Sequence, residues 1–209
     1  MKGRCVILGG AEIRDYGAIR RQLREGDFLI CCDSGLRHRE GLGLQPDLVV
    51  GDFDSHENPG LPVETLVLPR EKDDTDTVFA VKEAVRRGFS RFVLIGVTGG
   101  RLDHTLGNLS ILLWLDSLGL SGRILDDCSD MEILSRHPAE VGGEYPYFSL
   151  LNISGIARDI TITGAKYPLT GGEITCEYQY GISNEVLPGQ TARITVGEGR
   201  LLLVKVRKG

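Results

Sequence analysis

The chain has 209 residues, which is enough for one large domain or two small ones. Its net charge is −5 at pH 7, with few aromatic residues and no basic stripe, so the composition argues against a nucleic-acid partner. No apolar run reaches the ~18 residues that a membrane helix needs, and the N-terminal stretch is too short for a signal peptide. We therefore expect a globular protein with neither nucleic-acid nor membrane partners.

Five cysteines occur in an odd number and without metal-ligand spacing, at Cys5, Cys31, Cys32, Cys128 and Cys176. Several lie in apolar runs, where cysteine behaves as a small hydrophobic residue. The vicinal pair Cys31 and Cys32 ends a predicted strand, and packing explains it better than redox chemistry. This usage favours the reducing cytoplasm as the compartment.

Strands and helices alternate through the first two thirds of the chain. Short apolar runs predict strands at 5–8, 28–32, 48–50, 64–68, 91–97, 123–126 and 131–134. Apolar residues at three- and four-residue spacing predict helices at 16–24 and 75–87, and a long helix follows residue 101. This alternation predicts a mostly parallel, Rossmann-like α/β sheet with helices on both faces.

The pattern changes near residue 135. Beyond it, short β-rich runs are separated by Gly, Asn and Pro, and no helical period occurs. This is typical of an antiparallel β-sandwich or barrel. We therefore predict an α/β domain over 1–135 and a β-domain over 136–209, the second being small enough to need packing against the first or against another subunit.

Aspartates are concentrated between residues 52 and 76. Asp52 and Asp54 follow a buried strand two residues apart, so on an extended backbone both carboxylates would face one point. Asp73, Asp74 and Asp76 stand at the start of the next helix, where capping or turn formation would also explain Asp73 and Asp74. Five carboxylates in one strand–loop–helix unit predict a hard divalent cation such as Mg²⁺.

Two further segments end at the same predicted edge of the sheet. Asp33 follows the second strand, where it serves either a ligand site or the N-cap of a short helix. A glycine turn with Arg101 opens the long helix, and such a turn suits phosphate, although a plain strand–helix turn reads the same way. In that helix Asp103 could be a cap, His104 is expected to be structural, and Asn108 faces either the site or solvent.

These motifs resemble, in order and over nearly the whole length, those of the thiamin pyrophosphokinase family. The motifs are DSG at 33–35, GDFDS at 51–55, KDDTD at 72–76, GGRLDH at 99–104, TGAKYPL at 163–169 and GISNE at 181–185. The resemblance implies transfer of the pyrophosphoryl group of ATP to the hydroxyl of thiamin, giving thiamin diphosphate and AMP. It also implies Mg²⁺, a nucleotide-binding α/β domain, a thiamin-binding β-domain and a homodimer with sites between subunits.

The resemblance also assigns individual residues. Asp52, Asp54 and Asp76 match the metal and catalytic carboxylates, with Arg101 as a further catalytic residue and polyphosphate contact. The remaining nucleotide-site positions are Asp33, Asp74, Thr75, Asp103 and Asn108. Ser183 and Asn184 match the thiamin-proximal turn, whereas the residues by themselves favour a hairpin turn there.

Some details stay open at this stage. Either Asp54 or Asp76 accepts the substrate proton. Some family members place a tryptophan near the C-terminus, where this chain reads GRLLLV at 199–204. Two alternative functions are a pyrophosphokinase for another heterocyclic alcohol, such as a hydroxymethyl pterin, and a non-catalytic metal–nucleotide sensor.

Overall fold

The computed structural model describes residues 3–53, 60–69, 71 and 73–207. The chain divides into two compact units, Met1–Asp127 and Cys128–Gly209. In the described ranges no helix is long and apolar enough to span a membrane.

The first unit alternates strands and helices as the sequence predicts. Its strands are β1 (Arg4–Leu8), β2 (Phe28–Cys32), β3 (Leu48–Gly51), β4 (Glu64–Val67), β5 (Arg91–Ile95) and β6 (Ser121–Leu125). Its helices are α1 (Tyr16–Arg20), a 3₁₀ helix (Ser34–His38), α2 (Arg39–Leu42), α3 (Asp76–Arg86) and α4 (Leu102–Ser117).

The strands of this unit are all parallel to their neighbours and lie in the order β6-β5-β1-β2-β3-β4. Leu8 and Cys31 pack with Ile19 of α1 and Leu42 of α2 in one core cluster. The alternate strand positions, such as Ile7, are buried as well, and α3 contacts β1, β2 and β3. Burial of both strand faces is why these runs are continuously apolar, and the predicted α/β class is confirmed.

Two elements end two or more residues earlier than the sequence predicts. Beyond Arg20 of α1 the bonding changes to three-residue spacing, with Gln22 N donating to Ile19 O at 2.9 Å. Strand β5 ends at Ile95 rather than at residue 97 because Gly96 has a positive φ of 65°, which breaks the extended backbone.

The second unit contains only strands in its described part. They are β7 (Ser129–Leu134), β8 (Ala139–Val141), β9 (Tyr147–Leu151), β10 (Ile156–Thr163), β11 (Leu169–Thr175), β12 (Gly181–Asn184), β13 (Ala192–Thr195) and β14 (Leu201–Val206). Within this unit they pair antiparallel in the orders β12-β9-β14-β7 and β11-β10-β13-β8.

Side chains from both sets of strands share one core, which includes Phe148, Ile160, Ile194 and Leu203. This is the antiparallel sandwich that the sequence predicts. Contacts divide the chain after Asp127, whereas the sequence pattern places the boundary after residue 135. The difference arises because β7 pairs with β14 along its whole length, so these residues belong with the sandwich.

Candidate active site

Three carboxylates from separate segments meet at the carboxyl end of the parallel strands. Asp33 follows β2, Asp52 follows β3, and Asp76 is the first residue of α3. One oxygen from each lies within 4.8 Å of the other two. Strands β2 and β3 are neighbours with Cys32 opposite Val50, so residues that follow them emerge side by side.

Asp33 is the most buried of the three, at 3% exposure. Its Oδ1 accepts the N–H of Ser34, so it caps the 3₁₀ helix, which is one of the two roles predicted for it. Its Oδ2 is buried and accepts no hydrogen bond from the part of the chain that the structure describes. A Cβ on Gly51 would lie 2.5 Å from the Asp33 Cβ, so only glycine at the end of β3 allows this approach.

The arrangement fits a divalent cation. Carboxylates held this close repel one another unless a proton or a positive charge intervenes. Mg²⁺ takes oxygen ligands and is commonly held by one or two carboxylates together with substrate phosphates. A buried carboxylate oxygen without a hydrogen-bond donor is a suitable ligand, so Asp33, Asp52 and Asp76 could together hold Mg²⁺.

The backbone beyond Asp52 differs from the sequence expectation. Phe53 has a φ of +55°, a left-handed conformation that is rare for a residue with a side chain. The backbone is therefore not extended at Phe53, and the condition under which Asp52 and Asp54 would face one point is not met at this residue. Asp54 itself, predicted as a metal and catalytic carboxylate, lies outside the described residues. Left-handed outliers of this kind tend to occur at functional sites.

At the start of α3 the helix cap is Thr75, whose Oγ1 accepts the N–H of Val78 at 3.3 Å. Asp74 instead forms an ion pair with Lys82, with Nζ 2.8 Å and 2.7 Å from its two carboxylate oxygens. Capping by Asp73 or Asp74 is therefore wrong, whereas the chain bends at both residues, which leaves the alternative of turn formation open. The nucleotide-binding roles of Asp74 and Thr75 stay predictions.

The glycine turn after β5 leads into α4 as predicted. Gly99 and Gly100 have φ values of 85° and 62°, which favour glycine at both positions. Arg101 occupies the N-cap position, and its exposed guanidinium binds Asp103, with Nε 3.1 Å from Oδ1 and Nη2 2.5 Å from Oδ2. This ion pair holds the pKa of Asp103 down, at about 2, and raises that of Arg101. In this structure Arg101 is thus engaged with Asp103 in the same turn.

Asn108 is buried, and its Nδ2 donates to the carbonyl of Val97 at 2.8 Å. Of the two orientations that the sequence left open, exposure to solvent is therefore excluded. None of the sequence motifs includes Thr105, whose hydroxyl contacts both Gly99 and Arg101 in the turn. A hydroxyl in the first turn of a helix that follows two glycines is the signal that could have identified it.

The thiols next to the carboxylates are buried. Burial raises the pKa of Cys31 to about 12, and it raises that of Cys32 further, with the neighbouring Asp76 carboxylate as a second cause. Both thiols therefore stay protonated at neutral pH, and protonated buried thiols are poor nucleophiles. This agrees with the packing role that the sequence favours.

In the second unit the segment GISNE forms an irregular edge strand rather than a hairpin turn. Its register against β9 shifts between Gly181 and Asn184, and Ser183 has a φ of +58°. The Asn184 side chain is 5% exposed and bridges the backbone, donating to Tyr167 O at 2.8 Å and accepting from Tyr167 N at 3.0 Å. Ser183 is exposed, and its N–H donates to Ser149 Oγ at 3.0 Å.

A small cavity of about 100 Å³ lies beside this strand within the second unit. Its walls include Tyr167, Tyr180, Ile182 and Asn184, and the first three are exposed hydrophobic side chains. The bonds of Asn184 to Tyr167 therefore hold one wall of the cavity against another.

Comparisons with known proteins agree with these features. The family model described as "Thiamin pyrophosphokinase, catalytic domain" matches residues 19–121. The model described as "Thiamin pyrophosphokinase, vitamin B1 binding domain" matches residues 133–201. A thiamine pyrophosphokinase of Bacillus subtilis is 29% identical over 189 residues, covering 87% of this chain and 88% of that protein. Thiamine pyrophosphokinase 1 of rice, Oryza sativa subsp. japonica, is 24% identical over 182 residues, which cover 79% of this chain and 68% of the rice protein.

Solved structures of similar proteins have the same fold. A thiamin pyrophosphokinase from Geobacillus thermodenitrificans superposes with a TM-score of 0.85 at 27% identity, covering 99% of both chains. The Bacillus subtilis structure gives a TM-score of 0.86 at 24% identity, covering 99% of this chain and 100% of the other. The two family models together take in the acidic cluster, the glycine turn and most strands of the sandwich, and the chain therefore belongs to the thiamin pyrophosphokinase family.

Proposed function

We propose that the chain transfers the pyrophosphoryl group of ATP to the hydroxyl of thiamin, and that Asp33, Asp52 and Asp76 hold the Mg²⁺ of this reaction. The observation that carries the proposal is the convergence of these carboxylates within 4.8 Å at the carboxyl edge of the parallel sheet. In open α/β sheets that edge is where ligands bind. Asp54 is included as a further candidate ligand on the resemblance.

The reaction makes modest covalent demands on the protein. The thiamin hydroxyl oxygen forms a bond to the β-phosphorus, the bond from that phosphorus to the oxygen on the α-phosphorus breaks, and AMP leaves with the electron pair. Protein residues must align the two substrates and accept the hydroxyl proton. Asp54 or Asp76 is the proposed acceptor. When bound, Mg²⁺ supplies positive charge to the polyphosphate oxygens.

Arg101 and the first turn of α4 are the proposed polyphosphate contacts. An arginine fork matches phosphate oxygens, and the N-terminus of a helix presents N–H groups and a positive dipole end. Both side chains of the Arg101–Asp103 ion pair are exposed, and exposed ion pairs contribute little to the free energy of folding. Polyphosphate can therefore displace Asp103 from the guanidinium at small cost. Asp74, Thr75, Asp103 and Asn108 complete the proposed nucleotide region.

We assign the thiamin contacts to the second unit. Ser183 is exposed and Asn184 lines the cavity that Tyr167 and Tyr180 also border. Thiamin is a cation, and the faces of aromatic rings attract cations. This agrees with Ser183 and Asn184 as the thiamin-proximal pair. The Asn184 side chain forms hydrogen bonds to the backbone of Tyr167, so its proposed role is to hold the wall of the site.

We also infer a homodimer in the cytoplasm. Leu102 and Leu106 are 70% and 56% exposed on α4, one helical turn apart, and such an apolar face favours a partner. A monomer of 22.8 kDa by light scattering would contradict the dimer. None of the five cysteines, which all lie in the described ranges, forms a disulfide, and this fits a reducing compartment. The net charge of −5 supports the absence of nucleic-acid partners.

The test is to incubate the purified protein with Mg-ATP and thiamin and to follow the products by phosphorus NMR. We expect AMP and thiamin diphosphate, formed together in equal amounts. ADP as the product would indicate an ordinary kinase and contradict the proposal. A diphosphate ester formed from a hydroxymethyl pterin but not from thiamin would reassign the substrate. No turnover with any alcohol would support the sensor alternative.

A further inference from the structure

We propose that Thr105 is a positioning residue of this reaction, because its hydroxyl fixes the glycine turn between β5 and α4 in the conformation that receives the polyphosphate. The inference rests on the proposed function, in which this turn contacts ATP. Thr105 lies directly after the GGRLDH motif and belongs to none of the sequence motifs.

One hydroxyl joins the two ends of the turn. The N–H of Gly99 donates to Thr105 Oγ1 at 3.1 Å, and Thr105 Oγ1 lies 3.3 Å from the carbonyl oxygen of Arg101, to which it donates. The backbone N–H of Thr105 also donates to that carbonyl, at 3.2 Å, as the first bond of the helix. The hydroxyl therefore ties the residue before Gly100 to the residue after it.

Two other contacts hold the turn at its base. Asn108 lies three residues beyond Thr105 on α4, and its Nδ2 donates to Val97 O at 2.8 Å in the interior. The Thr98 hydroxyl donates to Asp126 Oδ2 at 3.3 Å. These two bonds hold Val97 and Thr98, which precede the glycines. The Thr105 hydroxyl is the described side-chain group that bonds to the glycines themselves.

The glycines need a brace because they are flexible. Gly99 and Gly100 both adopt positive φ, and glycine loses more conformational freedom on ordering than any other residue. A turn that was free in the absence of nucleotide would have to be ordered during binding, which would weaken affinity. Ordering it in advance removes that cost.

The hydrogen bond between Gly99 and Thr105 also determines which backbone N–H groups are available to the ligand. The Gly99 N–H is directed at Thr105, so it is not offered to phosphate. The N–H groups of the first turn of α4, which have no partner within the helix, are left for that purpose. Loss of the hydroxyl would therefore affect ATP more than thiamin.

The test compares three substitutions by steady-state kinetics with each substrate varied in turn. Thr105→Val keeps the shape of the side chain and removes the hydroxyl, and we expect its KM for Mg-ATP to rise about 5- to 10-fold, the effect of one hydrogen bond. Its KM for thiamin should stay unchanged. Thr105→Ser should restore the wild-type KM for Mg-ATP. Thr65→Val is the matched control, because Thr65 also donates to a carbonyl, that of Val63, at 3.3 Å on β4.

A wild-type KM for Mg-ATP in Thr105→Val, or an equal rise in the KM for both substrates, would overturn the inference. A second measurement requires neither a variant nor turnover. In the nucleotide-free protein the amide hydrogen of Gly99 should exchange more slowly than that of Gly100, and equal rates would contradict the brace. If the wild-type protein releases no AMP, the proposed function fails while this exchange measurement still tests the brace.

Discussion

Asp33 combines an observed structural role with the proposed role of a metal ligand. One carboxylate oxygen of Asp33 caps a 3₁₀ helix and the other is buried, and the carboxylate as a whole lies in the cluster with Asp52 and Asp76. The pattern of motifs, through its resemblance, assigns Asp33 to the nucleotide site and the metal ligands to Asp52, Asp54 and Asp76. That pattern could not show that β2 and β3 are neighbours, and this adjacency is what brings Asp33 into the cluster.

Arg101 is a case in which residue type matters more than charge. Its fork binds Asp103 through Nε and Nη2, and the same geometry matches two phosphate oxygens. Lysine keeps the charge but loses the fork. We therefore expect Arg101→Lys to raise the KM for Mg-ATP about tenfold, equivalent to about 1.4 kcal/mol of binding free energy, as initial-rate measurements would show.

The control for this change is Arg193→Lys, on the exposed face of β13, which should leave the KM for Mg-ATP unaltered. If Arg101→Lys also had the wild-type KM, charge without geometry would suffice, and the assignment of a bidentate phosphate contact to Arg101 would be wrong.

At the scale of elements, hydrophobic periodicity predicts the type and the order of the helices and strands well, but it predicts their end residues less well. Strand β2 has the bounds that the sequence predicts, because its apolar run is bordered by polar residues. The ends of α1 and β5 depend on hydrogen bonding after Arg20 and on the positive φ of Gly96, which apolar spacing does not report. The sequence pattern does not identify strand β12, because its irregular register around Ser183 disrupts the alternation that identifies a strand.

Helix α3, which carries Asp76, is attached to β4 by an ionic network. Glu83 is nearly buried and accepts from Arg86 and Arg87 at 2.7 Å, while Arg87 also binds Glu64. Hydrogen bonds from Arg86, and then from Arg87, outweigh burial and lower the pKa of Glu83 from 4.5 to about 2. A buried acid whose pKa is lowered on folding stabilises the protein above its unfolded pKa.

We therefore expect Glu83→Gln to lower the free energy of unfolding by about 1–2 kcal/mol at pH 7. The difference from wild type should persist down to about pH 4.5 and should shrink as the pH falls towards 2, because the Glu83 carboxylate then takes up its proton in both states. Urea denaturation at a series of pH values measures this. Glu25→Gln, at an exposed position of the same unit, is the control. A difference that grew on acidification would contradict the assignment.

On the scale of the whole molecule, the sequence predicted an α/β unit followed by an antiparallel sandwich, and the structure confirms both. Strands buried on both faces have continuous apolar runs, whereas strands buried on one face alternate apolar and polar residues. This difference is why the architecture could be predicted from the sequence. Contacts between segments that lie far apart in the sequence could not be predicted in this way. The bonds between Asn184 and Tyr167, and the approach of Gly51 to Asp33, depend on strand order and became visible only in the fold.

The proposed metal binding would link the carboxylate cluster to the stability of the fold. Any ligand that binds only the folded state stabilises it, by about 2.7 kcal/mol at a concentration one hundred times its Kd. Asn at position 33 can still accept the N–H of Ser34, so Asp33→Asn removes charge from the cluster while it keeps the helix cap. Asp159→Asn is the matched control, because Asp159 is exposed in the second unit and its φ of +52° suits asparagine.

The most direct measurement is calorimetric titration of the metal-free protein with Mg²⁺, paired with thermal unfolding of the same samples. Wild type and Asp159→Asn should bind Mg²⁺ and unfold at a higher temperature in its presence, whereas Asp33→Asn and Asp76→Asn should show neither effect. Wild-type affinity for Mg²⁺ in Asp33→Asn and Asp76→Asn would contradict the proposal that these carboxylates form the metal centre.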